Sequence, residues 1–220
     1  MSINFDKIVE TVAEAKKKAK TRNFAESIDL AVNIKGIDLK RPESRIDAEV
    51  VVPNSLAKKP KICVIAMGDL AIQAKKEEAD LVLAKEDLEK LATDRKSAKR
   101  IVNENDFFIA SADMMPLIGR FLGPILGPRG KMPKPGGGII PPTSDIKPVL
   151  ERYSKTVRIV MKKSPVVQAK VGDKNLDNKS IAENIREILM FLEQNLDKGM
   201  QNVKSIYVKT SMGPTVKLEL

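Results

Sequence analysis

The chain has 220 residues, 42% of them hydrophobic and 31% charged, enough for one large domain or two small ones with a real core. Its 39 Lys and Arg against 29 Asp and Glu leave a net charge of +10, which suits a polyanionic partner through release of phosphate counterions. No histidine and one cysteine, Cys63, exclude serine–histidine and cysteine–histidine catalysis, an internal disulfide and ordinary zinc sites, so neither metal nor cofactor is expected.

The N-terminal MSINFDKIVETVAEAKKKAK mixes acids with bases and lacks a signal-peptide core, so cytosolic residence is expected. No apolar run approaches the roughly 18 residues of a membrane span. From Phe5 to Lys20, Phe5, Ile8, Val9, Val12 and Ala15 recur at helical spacing, with Asn4 as cap. Strands are expected at SIDLAVNIK (27–35) and AEVVVP (48–53), joined by the charged GIDLKRPESRID, and SLAKKPK reads as a linker.

From Lys61 strands and helices alternate. KICVIA, DLVLA and DFFIAS read as strands; DLAIQAKKEEA, KEDLEKLATDRKSAKRIVNEN, ADMMPLIGRFLG and SDIKPVLERYSK read as helices. That alternation implies parallel pairing through right-handed crossovers, a small doubly wound α/β unit. After Lys155 come a strand, TVRIVMKK, and an amphipathic helix, SIAENIREILMFLEQNL. Ser180 and Glu183 are expected to form its capping box and Gly199 to mark its end. SIYVKTSM and TVKLEL close the chain as strands around Gly213-Pro214.

Neither terminal segment is long enough for a comfortable core alone, so 1–59 and 156–220 are expected to fold together around an inserted domain, 60–155. The split part holds 23 Lys and Arg against 16 Asp and Glu, net +7; the insert holds 16 against 13, net +3. The split domain is the stronger electrostatic candidate for binding.

Residues 119–138, GRFLGPILGPRGKMPKPGGG, raise the question of a nucleotide loop. A Walker loop needs a hydroxyl after Gly-Lys, but Met132 follows Gly130-Lys131, and Ile125 stands where the first glycine belongs. No GxGxxG lies between a strand and a helix, so a nucleotide-dependent enzyme is disfavoured. Small residues at 119, 123 and 127 suit close packing, and Pro124 and Pro128 are expected to interrupt any helix there. No acid occurs between Asp113 and Asp145, so Arg129, Lys131 and Lys134 could lie against a phosphate backbone. In KTSMGPT, Thr210 and Ser211 place two hydroxyls beside Met212 and Gly213. That set is either a plain hairpin connection or a contact for ribose 2′-hydroxyls. Phe24, in the polar KTRNFAES, either covers a core edge or stacks on a base.

GRFLGPILGPRGKMPKPGGG, the terminal KTSMGP and VGDKNLDNKSIAENI together resemble the large-subunit ribosomal protein number one (uL-one) family in its archaeal form, over essentially the whole chain. The resemblance implies an α/β fold: an α+β split domain plus an inserted Rossmann-like α/β domain, joined by a two-stranded hinge. It implies binding to large-subunit rRNA, chiefly through the split domain, in the mobile stalk beside exit-site tRNA. Repression through the protein's own mRNA also follows from it, as does a monomeric free state. The family's Thr-Met-Gly turn falls on Ser211, Met212 and Gly213, its phenylalanine on Phe24 and its neighbouring threonine on Ser27, both serines keeping the hydroxyl. The glutamate of the first helix maps to Glu14. Asn33 stands where bacterial members carry a lysine, with Lys35 nearby as its replacement. Thr210 joins the expected contacts, and Arg129, Lys131 and Lys134 form a secondary set. The expectation is a non-catalytic ribosomal RNA-binding protein; the alternative is a general nucleic-acid-binding protein without a ribosomal role.

Overall fold

The computed structural model describes residues 4–41, 44–56, 59–77, 79–162 and 164–219. The chain separates into two compact units, Met1–Lys59 with Lys155–Leu220, and Pro60–Ser154.

Unit one is built on β1 (Ser27–Ile34), where Ile28, Leu30, Val32 and Ile34 are buried and Ser27, Asp29, Ala31 and Asn33 are partly exposed. That strict alternation is the period of a half-buried strand. β1 lies between β8 (Val166–Asp173) and β9 (Val203–Thr210), with β10 (Thr215–Leu218) beyond β9, all antiparallel. The apolar stripes of α1 (Phe5–Lys18) and α8 (Asn178–Asn195) pack into the core under this sheet. Asn4 caps α1, accepting from the Asp6 amide at 3.1 Å. β2 (Ile46–Val51) and β7 (Thr156–Met161) form a separate two-stranded antiparallel sheet. There, Arg158 Nη2 donates to both oxygens of Asp47, at 2.8 and 3.0 Å.

In unit two, β3 (Ile62–Ile65), β4 (Leu81–Leu83), β5 (Phe107–Ser111) and β6 (Ile139–Ile140) form a parallel sheet ordered β4-β3-β5-β6. Alternate residues feed two cores. Cys63, Ile65, Phe108 and Ala110 pack with α3 (Lys85–Thr93), α4 (Arg95–Glu104), α5 (Met115–Phe121) and α6 (Gly123–Arg129). Ile62, Val64, Phe107 and Ile109 pack with α2 (Asp69–Lys76) and α7 (Lys147–Ser154). Helices on both faces explain why these strands read as continuous apolar runs.

The structure corrects four local expectations. β8 had no counterpart among the expected strands, although its Val167, Ala169 and Val171 alternate inward. α8 begins at Asn178 because Asp177 caps it, accepting from the Lys179 amide at 3.2 Å. Glu183 instead accepts from Asn54 Nδ2 at 2.6 Å, and Gly199 opens a separate 3₁₀ turn after the helix has ended. The polar stretch 85–105 is two helices, broken where Asp94 takes the Lys96 and Ser97 amides and caps α4. Finally, the expected interruption falls at Leu122, between α5 and α6, but helix resumes after it. Pro124 sits in the first turn of α6, where no amide donor is needed, and Pro128 in the last, before Gly130 turns left-handed at φ 66°.

Candidate RNA-contact turn

β9 and β10 run antiparallel, so the connection Ser211–Pro214 is a hairpin turn at one end of the sheet. β1 starts at that same end. The Ser211 amide donates to the Ser27 carbonyl at 2.9 Å, extending the ladder by one rung. The two hydroxyls lie 2.8 Å apart, and the Ser27 amide donates to Ser211 Oγ at 3.2 Å. Phe24, three residues upstream of Ser27, is 53% exposed, and Met212 is 61% exposed. Each of the paired serines thus has an exposed large apolar residue close by in the chain, Phe24 before Ser27 and Met212 directly after Ser211.

Thr210 is different: it is 0% exposed, and its Oγ1 has no hydrogen-bond partner among the described residues. A Cβ added at Gly213 would lie 2.2 Å from that oxygen. Gly213 is therefore required by what lies beneath it, the buried threonine. The same added Cβ would lie 3.5 Å from Ala19 Cβ, so the end of α1 borders the turn. Glu14 is five residues earlier on α1, roughly 7.5 Å along the axis, and forms a half-exposed ion pair with Lys18 at 2.6 Å.

Asn33 and Lys35 are not brought into this group. Six residues of extended β1 separate Asn33 from Ser27, about 20 Å. Asn33 Nδ2 donates to Ser205 Oγ at 2.9 Å, and the Lys35 backbone exchanges hydrogen bonds with Asn202. In unit two, Lys131 Nζ donates to the carbonyls of Val102 and Asn105, at 2.9 and 2.5 Å, at the C-terminal end of α4, where a cation suits the helix dipole. Arg129 is exposed, and Lys134 is half-buried. Gly137 and Gly138 owe their identity to packing. Added Cβ atoms would lie 2.9 Å from Tyr153 Oη and from the Lys134 amide nitrogen, respectively.

Sequence reasoning passed over several charged groups at this end. Glu26 is 1% exposed, in phase with the buried residues of β1. The Met212 amide donates to its Oε1 at 3.4 Å, and Arg22 and Lys174 approach its carboxylate at 3.8 and 3.7 Å. An acidic residue falling on the apolar phase of a strand was the available signal. Asp29, paired in register with Lys170 and Lys209, has its carboxyl raised above the ordinary value by burial, against the pull of those two lysines. Cys63 is inert by comparison, its thiol buried and pushed up to about 12 by desolvation. Among the described residues no cluster of three or more His, Cys, Asp or Glu could hold a metal ion, and no helix is long and apolar enough to cross a membrane.

Residues 15–214 match the model of the Ribosomal protein L1p/L10e family. Over 211 residues, 96% of this chain and 98% of the relative, the chain is 49% identical to the Large ribosomal subunit protein uL1 of Methanobrevibacter smithii. It is 46% identical to the protein of that name from Thermococcus kodakarensis over 220 residues, the full length of both. With that of Pyrococcus abyssi the identity is 47% over 220 residues, all of this chain and 98% of the relative.

Proposed function

The chain belongs to the ribosomal protein L1p/L10e family, and from that premise we propose that the turn end of unit one is its contact with large-subunit rRNA. It is a protein of the large ribosomal subunit rather than an enzyme, working in the cytoplasm where that subunit is. The observation that carries the proposal is the pairing of the Ser27 and Ser211 hydroxyls, with exposed Met212 next to Ser211 and exposed Phe24 three residues before Ser27. A ribose 2′-hydroxyl both donates and accepts, as these serines do, and its sugar and base offer apolar faces to the methionine and phenylalanine.

Ser27, Ser211, Met212, Gly213 and Phe24 form the centre of the proposed site. Glu14 stands at its border, and Thr210 shapes it from beneath. Asn33 and Lys35, at the far end of β1, would meet a separate stretch of backbone. In unit two, exposed Arg129 is the stronger secondary contact, since Lys131 already caps a helix and Lys134 is half-buried. Exit-site tRNA and the protein's own mRNA are finer proposals on the same chemistry, because any structured RNA offers ribose and phosphate. The free protein acts as a monomer in this reading.

The test uses the large-subunit rRNA fragment that the wild-type protein protects from nuclease. Met212→Asp replaces an apolar contact by a charge facing phosphate and should weaken binding by about 1–3 kcal/mol, the scale of one specific contact. Unchanged affinity refutes the site. Competition against duplex DNA at one salt concentration separates this function from general nucleic-acid binding.

A further inference from the structure

We propose that Glu26 is a positioning residue for this turn: its buried carboxylate holds Met212, Arg22 and Lys174 in the arrangement that RNA meets. The inference rests on the rRNA reading above. Glu26 itself touches no RNA, being 1% exposed.

A carboxylate on the buried side of a strand is costly unless charges and donors surround it. Glu26 meets this requirement with groups from three separate segments. Arg22 comes from the connection between α1 and β1, Lys174 from the connection between β8 and α8, and the Met212 amide from the β9–β10 turn. The backbone adds a fourth tie, the Lys174 amide donating to the Glu26 carbonyl at 2.9 Å. One buried anion therefore connects the loop bearing Phe24 to the turn bearing Met212.

The distances are informative. Arg22 and Lys174 sit 3.8 and 3.7 Å from the carboxylate, outside direct hydrogen-bond range, and Glu26 Oε2 has no hydrogen-bond partner among the described residues. Both cations keep about a third of their side chains exposed. They are attracted to the rim of the turn without being consumed there. Two partly exposed cations thus lie against one buried anion, which is hidden from an incoming phosphate. The carboxylate thus does two things with opposite consequences for binding. It orders the specific contact, and it restrains the cations from generic phosphate attraction.

That opposition provides the test. Glu26→Ala should lose at least tenfold in affinity for the nuclease-protected rRNA fragment, while affinity for a random-sequence RNA duplex stays equal or rises. Glu26→Gln keeps an acceptor for the Met212 amide and should recover most of the specific affinity. In RNA-free protein the Met212 amide should exchange faster in Glu26→Ala and not in Glu26→Gln. If Glu26 acts through the turn, the combined loss in Glu26→Ala, Met212→Ala should be smaller than the product of the two single losses. Independent, multiplying losses overturn the positioning role, as does a parallel loss on both RNAs accompanied by a lower unfolding midpoint. A Met212→Ala protein that binds like wild type instead overturns the reading of the turn as the rRNA site. Weak binding by Met212→Ala with normal binding by Glu26→Ala removes only the positioning role.

Discussion

Replacing Gly213 by alanine places a methyl carbon 2.2 Å from Oγ1 of Thr210, a separation that real side chains do not tolerate. Gly213 is not among the glycines with positive φ, so backbone strain is not the source of the cost. The obstacle is a β-branched side chain, fully buried, whose χ1 has few alternatives. Forcing one extra methyl into such a place costs about 1–3 kcal/mol. With a urea dependence of about 2 kcal/mol per molar, that shifts the unfolding midpoint of unit one down by roughly 0.5–1.5 M. Methyl NMR signals of Ile28 and Val208, buried in this sheet, report that unit separately from unit two. Thr210 Oγ1 has no hydrogen-bond partner among the described residues, so Thr210→Ala removes the obstacle without breaking a hydrogen bond seen there. The double variant should therefore recover at least about 1 kcal/mol relative to the sum of the single changes. A Gly213→Ala protein with the wild-type midpoint, or strictly additive effects, refutes the reasoning.

In unit two, Lys131→Met keeps an apolar stem and removes the ammonium that binds the Val102 and Asn105 carbonyls; destabilisation of about 1–2 kcal/mol is expected. Buried Cys63 measures it directly, because the thiol reacts with a thiol reagent only when the unit opens, and labelling should accelerate about tenfold. Asp29 predicts a pH dependence. Burial raises its folded carboxyl above the unfolded value near 3.8, so the folded state binds more protons in the window above that value. Its contribution to stability is full below pH 3.8 and is lost as pH rises through the folded value. Subtracting the urea midpoints of Asp29→Asn from those of wild type between pH 3 and 6 should leave a difference that falls with rising pH; a flat difference contradicts the burial argument.

Local patterning makes much of the architecture legible in the sequence. Alternation in SIDLAVNIK identified β1, helical spacing identified α1 and α8, and the strand–helix alternation after Lys61 implied a parallel α/β sheet. The mixed α/β class follows from these periods, since each says which side of an element must be covered. The limits of local reading lie where two competing signals were both local. Ser180 and Glu183 make an acceptable capping box, yet Asp177 takes the cap. Pro124 and Pro128 suggest that helix stops, yet after a break at Leu122 each occupies an end turn of α6 where a proline is tolerated.

By itself, then, the sequence determined which residues are apolar in phase, where net positive charge concentrates, and which motifs mark the ribosomal family. Tertiary structure alone decided which of the candidate side chains share a surface. Ser27 and Ser211 stand 184 residues apart and 2.8 Å between hydroxyls, while Asn33, six residues from Ser27, lies at the opposite end of the strand. Thr210 and Glu26 turn inward because the strand phase sends them there, and Lys131 meets a helix end that chain order gives no reason to expect. The physical reason is one of range. Periodicity and propensity act over a few residues, whereas a site is assembled by strand pairing and by the burial of charges brought from distant segments.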